Sequence, residues 1–402
     1  TKTKQTLTEK EAIVITAKKA QDDANKALVE VKAVEDSKRA TVDLKVAAKE
    51  AALKAESDAN ALVSTKDTDL TNAKNNVTTL ETSITNLTKA VQDAIAKIQE
   101  GSLGFFKAMG SNTALNYFKD NKIMIQDPHP TIKESYKLPD ITDHVIINYT
   151  TVGDSKDATS LENMKLAIDM VIRGNDLRAA DTDGIGLTGN PRNLSRLKVT
   201  DELMAKAQLQ TNASKIVQYH TSAFNIGENL AYGYGDALTG RMRDPHEGWF
   251  IDEKDNLFTN NGYQTGHYEN AINSEYAITG GAYNAHKNGG VNGESYGGVH
   301  GQVYYYELNP NDTSVLYTDT EYKDRFMTYY NGVMTAKTTA EANLEKAKKD
   351  LDTARKAITT AETALANAKT TAATATTNRN AAEQAVAEAQ RVLEDAKKVT
   401  AT

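Results

Sequence analysis

The chain has 402 residues, a net charge of −7 and no cysteine, which excludes a disulfide frame and a cysteine-ligated zinc site. Its charges are of mixed sign with no dense basic block, unlike the clustered positive footprint of a nucleic-acid binder. No apolar run approaches the roughly eighteen residues of a membrane span, and the opening TKTKQTLTEKEA lacks the apolar stretch of a signal peptide.

The composition is split along the chain. All 24 glycines, all six prolines, all seven histidines and every aromatic residue fall between Gly101 and Gly332. Residues 1–100, without Gly or Pro, are expected to run as one helix. Its apolar residues step by three and four at Leu70, Ala73, Val77, Leu80, Ile84, Leu87, Val91, Ala94 and Ile98, a coiled-coil seam. Ala17, Ala20, Ala24, Ala27, Val31 and Val34 keep the same rhythm upstream. A register slip is expected near Leu62–Leu70, with Lys38 on the seam.

Residues 101–160 read as a collar or cap. GSLGFFKAMGSNTALNYFKD suggests short helices, DPHPTIKESYKLPD an extended stretch set by its prolines, and HVIINYT (144–150) a short strand. Within 161–330, a helix capped by Ser160 carries Leu161, Met164, Ile168, Val171 and Ile172 on one face. TDGIGLTGNP breaks it as a turn, and Thr200 caps a second helix ending near VQYH. DPHEGWFIDEKD starts a third, with Pro245 in its first turn. EYAITGGAYN and HGQVYYYELN alternate as strands across a Gly/Asn-rich link that fits no phosphate loop, since no Lys-Ser/Thr follows it. Helices followed by strands predict an α+β unit with layered α-β-α packing.

Residues 331–402 resume the seam, from Val333 through Leu344, Leu351, Ile358, Leu365, Ala372, Val386 and Leu393 to Ala396, broken by Arg379. One arm enters the middle region and the other leaves it. Loop-closure economy therefore favours an intramolecular antiparallel coiled coil with the middle region at its tip. A parallel oligomer is the alternative.

Within HTSAFNIGENLAYGYG (220–235), a histidine closes a helix and a Gly-Glu-Asn turn follows; GW with acids after it and TGHYEN come later. These pieces resemble the CAP superfamily of cysteine-rich secretory, antigen 5 and plant pathogenesis-related proteins, over about 161–308. The resemblance implies an α-β-α sandwich whose cleft holds two histidines and two acids. His220 and Glu228 match the first pair and His267 the second histidine. Trp249 puts the second acid at Glu253, which we prefer, or at Asp252, which strict spacing favours. After His267 the run YENAIN departs from the family's eukaryotic pattern.

A CAP-like domain on a long Ala-rich coiled coil is similar to the PgrA/PrgA-type surface-exclusion proteins of Gram-positive conjugative plasmids. That similarity implies a chain outside the cell, attached to the cell wall, acting on surface proteins of its own or a neighbouring cell.

Two imidazoles can hold a divalent cation while leaving positions for water. His220 and His267 would favour zinc, with calcium or magnesium as competitors near the carboxylates. Glu228 or Glu253 could serve as general base in a metal-dependent protease. Ser222 is a conceivable nucleophile but reads better as a turn residue. His286 and His300 read as loop or strand residues, and His129, His144 and His246 receive no role. Three functions stay open: a surface hydrolase, a non-catalytic module that binds a surface protein, glycan or lipid, and an oligomerisation scaffold.

Overall fold

The structure, a computed structural model, describes residues 2–182, 194–233, 244–286, 288–289, 295–296, 298–306 and 315–401. In chain order, α1 (Lys2–Gln99) is followed by α2 (Gly101–Ala108), α3 (Asn112–Tyr117), α4 (Pro130–Tyr136) and α5 (Leu161–Ala180). Then come β1 (Lys198–Val199), α6 (Asp201–Val217), β2 (Gly227–Tyr232), a π-helical turn (Glu247–Asp252), α7 (Glu253–Thr259) and α8 (Gly266–Ile272). β3 (Tyr276–Asn284), the short pair β4 (Asn288–Gly289) and β5 (Ser295–Tyr296), β6 (Val299–Tyr306) and α9 (Asp319–Ala401) complete the chain. It forms two compact units, Thr1–Thr85 with Glu345–Thr402, and Asn86–Leu344.

In the first unit α1 and α9 pair antiparallel. Glu81 meets Arg355, Glu56 meets Arg379 and Lys49 meets Glu383, so one number climbs as the other falls. The α9 seam buries Ala347, Leu351, Ala354, Leu365, Ala368, Ala372, Ala375, Val386 and Leu393 as its repeat predicts. Alanines at Ala59, Ala372 and Ala375 cluster with Val63, small enough to let the backbones approach closely.

The α1 seam corrects the expected slip. Burial recurs at Lys49, Ala52, Glu56, Ala59, Val63, Lys66 and Leu70 without interruption. Lys66 fills the position that an apolar count leaves empty, laying its methylene stem on the seam while its ammonium reaches Asp69 at 2.9 Å. The irregularity lies upstream, where Lys38, Val42 and Val46 follow one another by steps of four. Residues 2–30 are exposed throughout, the seam Ala17–Ala27 included. Ala396 and Val399, near the end of α9, lie opposite Val31 and Val34.

In the second unit a four-stranded mixed sheet has the order β1-β3-β6-β2. β1 runs parallel to β3, and the other neighbours are antiparallel. Adjacent glycines on β3 show how the layers stack. A Cβ on Gly280 would lie 2.3 Å from the Leu203 backbone in α6, and one on Gly281 would lie 2.7 Å from Val171 in α5. Neighbouring strand residues point to opposite faces, so α6 covers one face and α5 the other. The caps fall where expected: Ser160 Oγ accepts from Asn163 N and Thr200 Oγ1 from Leu203 N.

Residues 101–160 share the core of this unit. Phe105, Phe106, Phe118 and Ile146 pack with Met164, Leu209, Tyr322 and Phe326. Asp201 is buried against Arg325, whose Nη1 and Nη2 donate to Oδ1 and Oδ2 at 2.7 Å each, while Tyr322 Oη donates to Oδ1. Two expected elements here are corrected. The stretch read as extended contains α4, because Pro130 suits the first helical position and His129 Nδ1 accepts from Thr131 N. HVIINYT gives one bridge, Val145 to Met124, and then a 3-10 helix over Ile146–Tyr149. The Asp143 carboxylate accepts from Val145 N and Asn148 Nδ2, curling the chain out of strand geometry.

Candidate functional site

The site grows from β2, the edge strand that carries Gly-Glu-Asn. Side chains alternate across a strand, and here that alternation distributes two adjacent residues to two histidines. Glu228 turns toward α6, where Oε1 accepts from Gln210 Nε2 at 2.5 Å and Oε2 lies 2.6 Å from His220 Nδ1. Asn229, fully buried, turns the other way and donates from Nδ2 to the backbone O of His267 at 2.9 Å. One dipeptide thus fixes the surroundings of both imidazoles.

The segment holding His220 is set by the end of α6. Its C-cap Gln218 has φ +57°, a left-handed turn that stops the helix two residues before the histidine. Glu228 is nearly sealed, with 6% of its side chain exposed against 34% for His220. Tyr232 closes the same face by donating to Ser214 O at 3.2 Å, and burial, then the Glu228 charge, hold its phenol well above the ordinary range.

The second pair is built by the π turn. Such a turn takes up about one residue more than an α turn, so Glu253 rather than Asp252 lies one turn beyond Trp249. Glu253 is buried and Asp252 exposed. Glu253 Oε2 accepts from His267 N at 2.7 Å and Tyr268 N at 3.0 Å, at the start of α8, and Oε1 lies 2.6 Å from His267 Nδ1. Three donors hold one carboxylate, and the carboxylate holds the ring. Lys254, next in sequence, anchors α7 through its ion pair with the buried Asp181 at 2.7 Å.

A cleft of about 600 Å³ opens beside this pair, walled by Trp249, Leu230, Tyr232 and Tyr263 with Glu253 and His267 at its polar end. His220 and Glu228 do not line it; Gln218 does. The structure therefore brings the four residues together two by two, joined through Asn229. The edge of β2 is closed here as well, since Trp249 Nε1 donates to Leu230 O at 3.1 Å and Asn270 Nδ2 to Glu228 O at 3.4 Å.

Each Nδ1 lies 2.6 Å from a carboxylate oxygen, and His267 Nδ1 also lies 3.0 Å from Gln264 Nε2, so each ring turns its Nε2 away from its acid. Neither Nε2 has a hydrogen-bond partner among the described residues. A carboxylate behind the ring is the usual outer support of an imidazole that binds metal, and the pairs His220–Glu228 and His267–Glu253 have that form. Among the described residues no three His, Asp or Glu side chains converge as one ligand set.

The remaining candidates resolve simply. Ser222 is exposed with φ +48°, a turn residue. His300 is buried in β6 against Tyr283, ring centroids 4.5 Å apart. His286 lies 3.5 Å from Asp154, and burial, then Lys215, lower its pKa. His144 pairs with Asp127 at 3.0 Å. In β6, Tyr304 is buried and Tyr306 exposed. The turn TDGIGLTGNP beyond Thr182, Tyr234 of NLAYGYG and most of the Gly-rich link lie outside the described residues. Sequence reasoning missed His246, which is buried beside Trp249; its partner Gln302 lies 56 positions away, beyond any local spacing signal.

Residues 173–306 match the family model described as CAP, Cysteine-rich secretory protein family. A CAP domain is therefore present, and its span takes in His220, Glu228, Glu253 and His267. No curated protein matches the chain. No helix among the described residues is long and apolar enough to cross a membrane.

Proposed function

We propose that the CAP domain is displayed at the outer surface of a Gram-positive cell and cleaves peptide bonds in surface proteins of its own or a neighbouring cell. In this reading the protein serves surface exclusion between conjugating cells. One observation carries the hydrolytic part: each imidazole is oriented through Nδ1 by a buried carboxylate, which leaves Nε2 free. His220 and His267 would hold a divalent cation, zinc first, whose Lewis acidity would polarise a scissile carbonyl. Glu228 and Glu253 raise the basicity of the rings and fix their orientation. The aromatic wall of Trp249 and Tyr232 excludes water and receives an apolar part of the substrate.

Metal content of the purified protein and cleavage of cell-surface proteins test this together. Uptake of about one zinc per chain and hydrolysis, both lost in His220→Ala/His267→Ala, are the expected results. A metal-free protein that cleaves nothing sinks the hydrolytic reading.

The cleft itself favours a second reading, because a 600 Å³ aromatic-walled cavity binds whether or not anything turns over. In that case the domain is a non-catalytic module for a surface protein, glycan or lipid. A folded double-histidine variant that keeps its mating phenotype selects this reading over the first.

A further inference from the structure

Nothing in the sequence marks His246, which follows Pro245 just ahead of the π turn. Its ring is 1% exposed, against 34% for His220 and 17% for His267. Nδ1 lies 2.8 Å from Asp244 Oδ1, and Nε2 lies 3.1 Å from Gln302 Oε1. Burial pushes the Asp244 carboxyl up. Hydrogen bonds from the His246 ring and backbone N–H, and from Arg173 Nε, outweigh burial and hold it well below the usual carboxylate range. Asp244 is therefore an acceptor only, and Nδ1 must donate.

The other side of the ring is set by hydrogen bonds that end on a backbone carbonyl. Thr279 Oγ1 sits 2.8 Å from Val303 O, which cannot donate, so the hydroxyl proton points there. The hydroxyl oxygen then accepts from Gln302 Nε2 at 3.2 Å. With its amide nitrogen committed, Gln302 presents its carbonyl oxygen to His246, and Nε2 must donate too.

From this polarity we infer that His246 donates from both ring nitrogens, forming a buried imidazolium that positions Trp249 as the wall of the cleft. The two rings stand at 86° with centroids 5.4 Å apart, within reach of a cation–π attraction. Around the imidazolium, α5 offers Gly174, β6 offers Gln302 and the π turn offers Trp249. Among the described residues the charged groups it faces are Asp244 and, behind it, Arg173. Gly174 in mid-helix fits this account, since a Cβ there would lie 2.7 Å from His246 Nε2 and 3.1 Å from Gln302 Oε1. The role of the wall rests on the cleft reading above; the protonation of the ring does not.

Imidazole nitrogen–proton correlation spectra of the isotope-labelled full chain at neutral pH test the inference. Two slowly exchanging ring N–H signals are expected, both absent from His246→Gln. Gln302→Met should lose the Nε2 signal and shift the emission of Trp249, the single tryptophan. Gln302→Glu, which keeps an acceptor, should retain both. A wild-type ring with one N–H and a bare Nε2 overturns the charged ring, whatever the variants do. Unchanged Trp249 emission in folded Gln302→Met overturns the positioning role. Absence of metal and peptidase activity would strike the proposed function and leave the ring spectrum as it is.

Discussion

The paired helices and the compact unit 86–344 are held by opposite means. In the first, one motif repeats: small and aliphatic side chains every three or four residues, each worth little, with ion pairs such as Arg355–Glu81 lying at the surface. In the second, a few buried polar hubs gather distant segments. Asp201 alone joins α6 to Tyr322 and Arg325 of α9 and to Ser111, and Asp319 joins α9 to Asn175 and Arg196. Loss of one contact should therefore spread over a long seam in the first region and concentrate in the second.

The sharpest way to break that contrast is Arg325→Met. It leaves the Asp201 carboxylate buried without its cation, and removing one partner of such a pair costs about 3–5 kcal/mol. Denaturant unfolding followed by Trp249 emission, which reports on the unit 86–344 alone, should show the loss. Next comes Leu365→Ala on the buried seam of α9, expected to cost roughly 2 kcal/mol, at the low end for a core leucine because the neighbouring seam can close over it. Helicity by circular dichroism should report this loss while Trp249 stays silent; a matching shift in Trp249 would erase the distinction between the regions.

Replacing both members of the Arg379–Glu56 pair by leucine should have a smaller effect, opposite in sign. Arg379 Nε lies 2.8 Å from Glu56 Oε2, within an ion pair only 27% and 18% exposed, and such pairs are often matched or bettered by apolar residues. The helical melting temperature should hold or rise slightly. A fall would make the pair a true stabiliser.

The smallest effect is one of pH. The Asp244 carboxyl is held below its ordinary range, so its stabilising share is present above the unfolded value and is lost as pH falls through strongly acid solution. Asp244→Asn should flatten the acid limb of the stability curve followed by Trp249, with no change in the helicity of the paired helices.

The two regions also differ in how far they can be read from sequence. The seam of α9 follows from spacing alone, Arg379 included, because a coiled coil is built from local periodicity. Reading failed at Lys66, where the residue type hides an apolar stem. In the compact unit the caps at Ser160 and Thr200 were legible, being short-range bonds. The helix that starts at Pro130 was misread, because the density of prolines there argued for extended chain. The pairing of His220 with Glu228 spans eight positions and came from a motif; that of His267 with Glu253 depended on a π turn whose extra residue no spacing rule supplies. His246 stayed hidden because Gln302 meets it, and Thr279 meets Gln302, only once the sheet is assembled.

The indole of Trp249 both walls the cleft and caps Leu230 O on the outer strand. A substitution that trimmed this ring to admit a bulkier ligand would also bare a strand edge to neighbouring copies. New binding specificity and solubility are thereby tied to one side chain, and natural or laboratory evolution of this pocket should proceed more readily at Tyr263, a wall residue that is exposed.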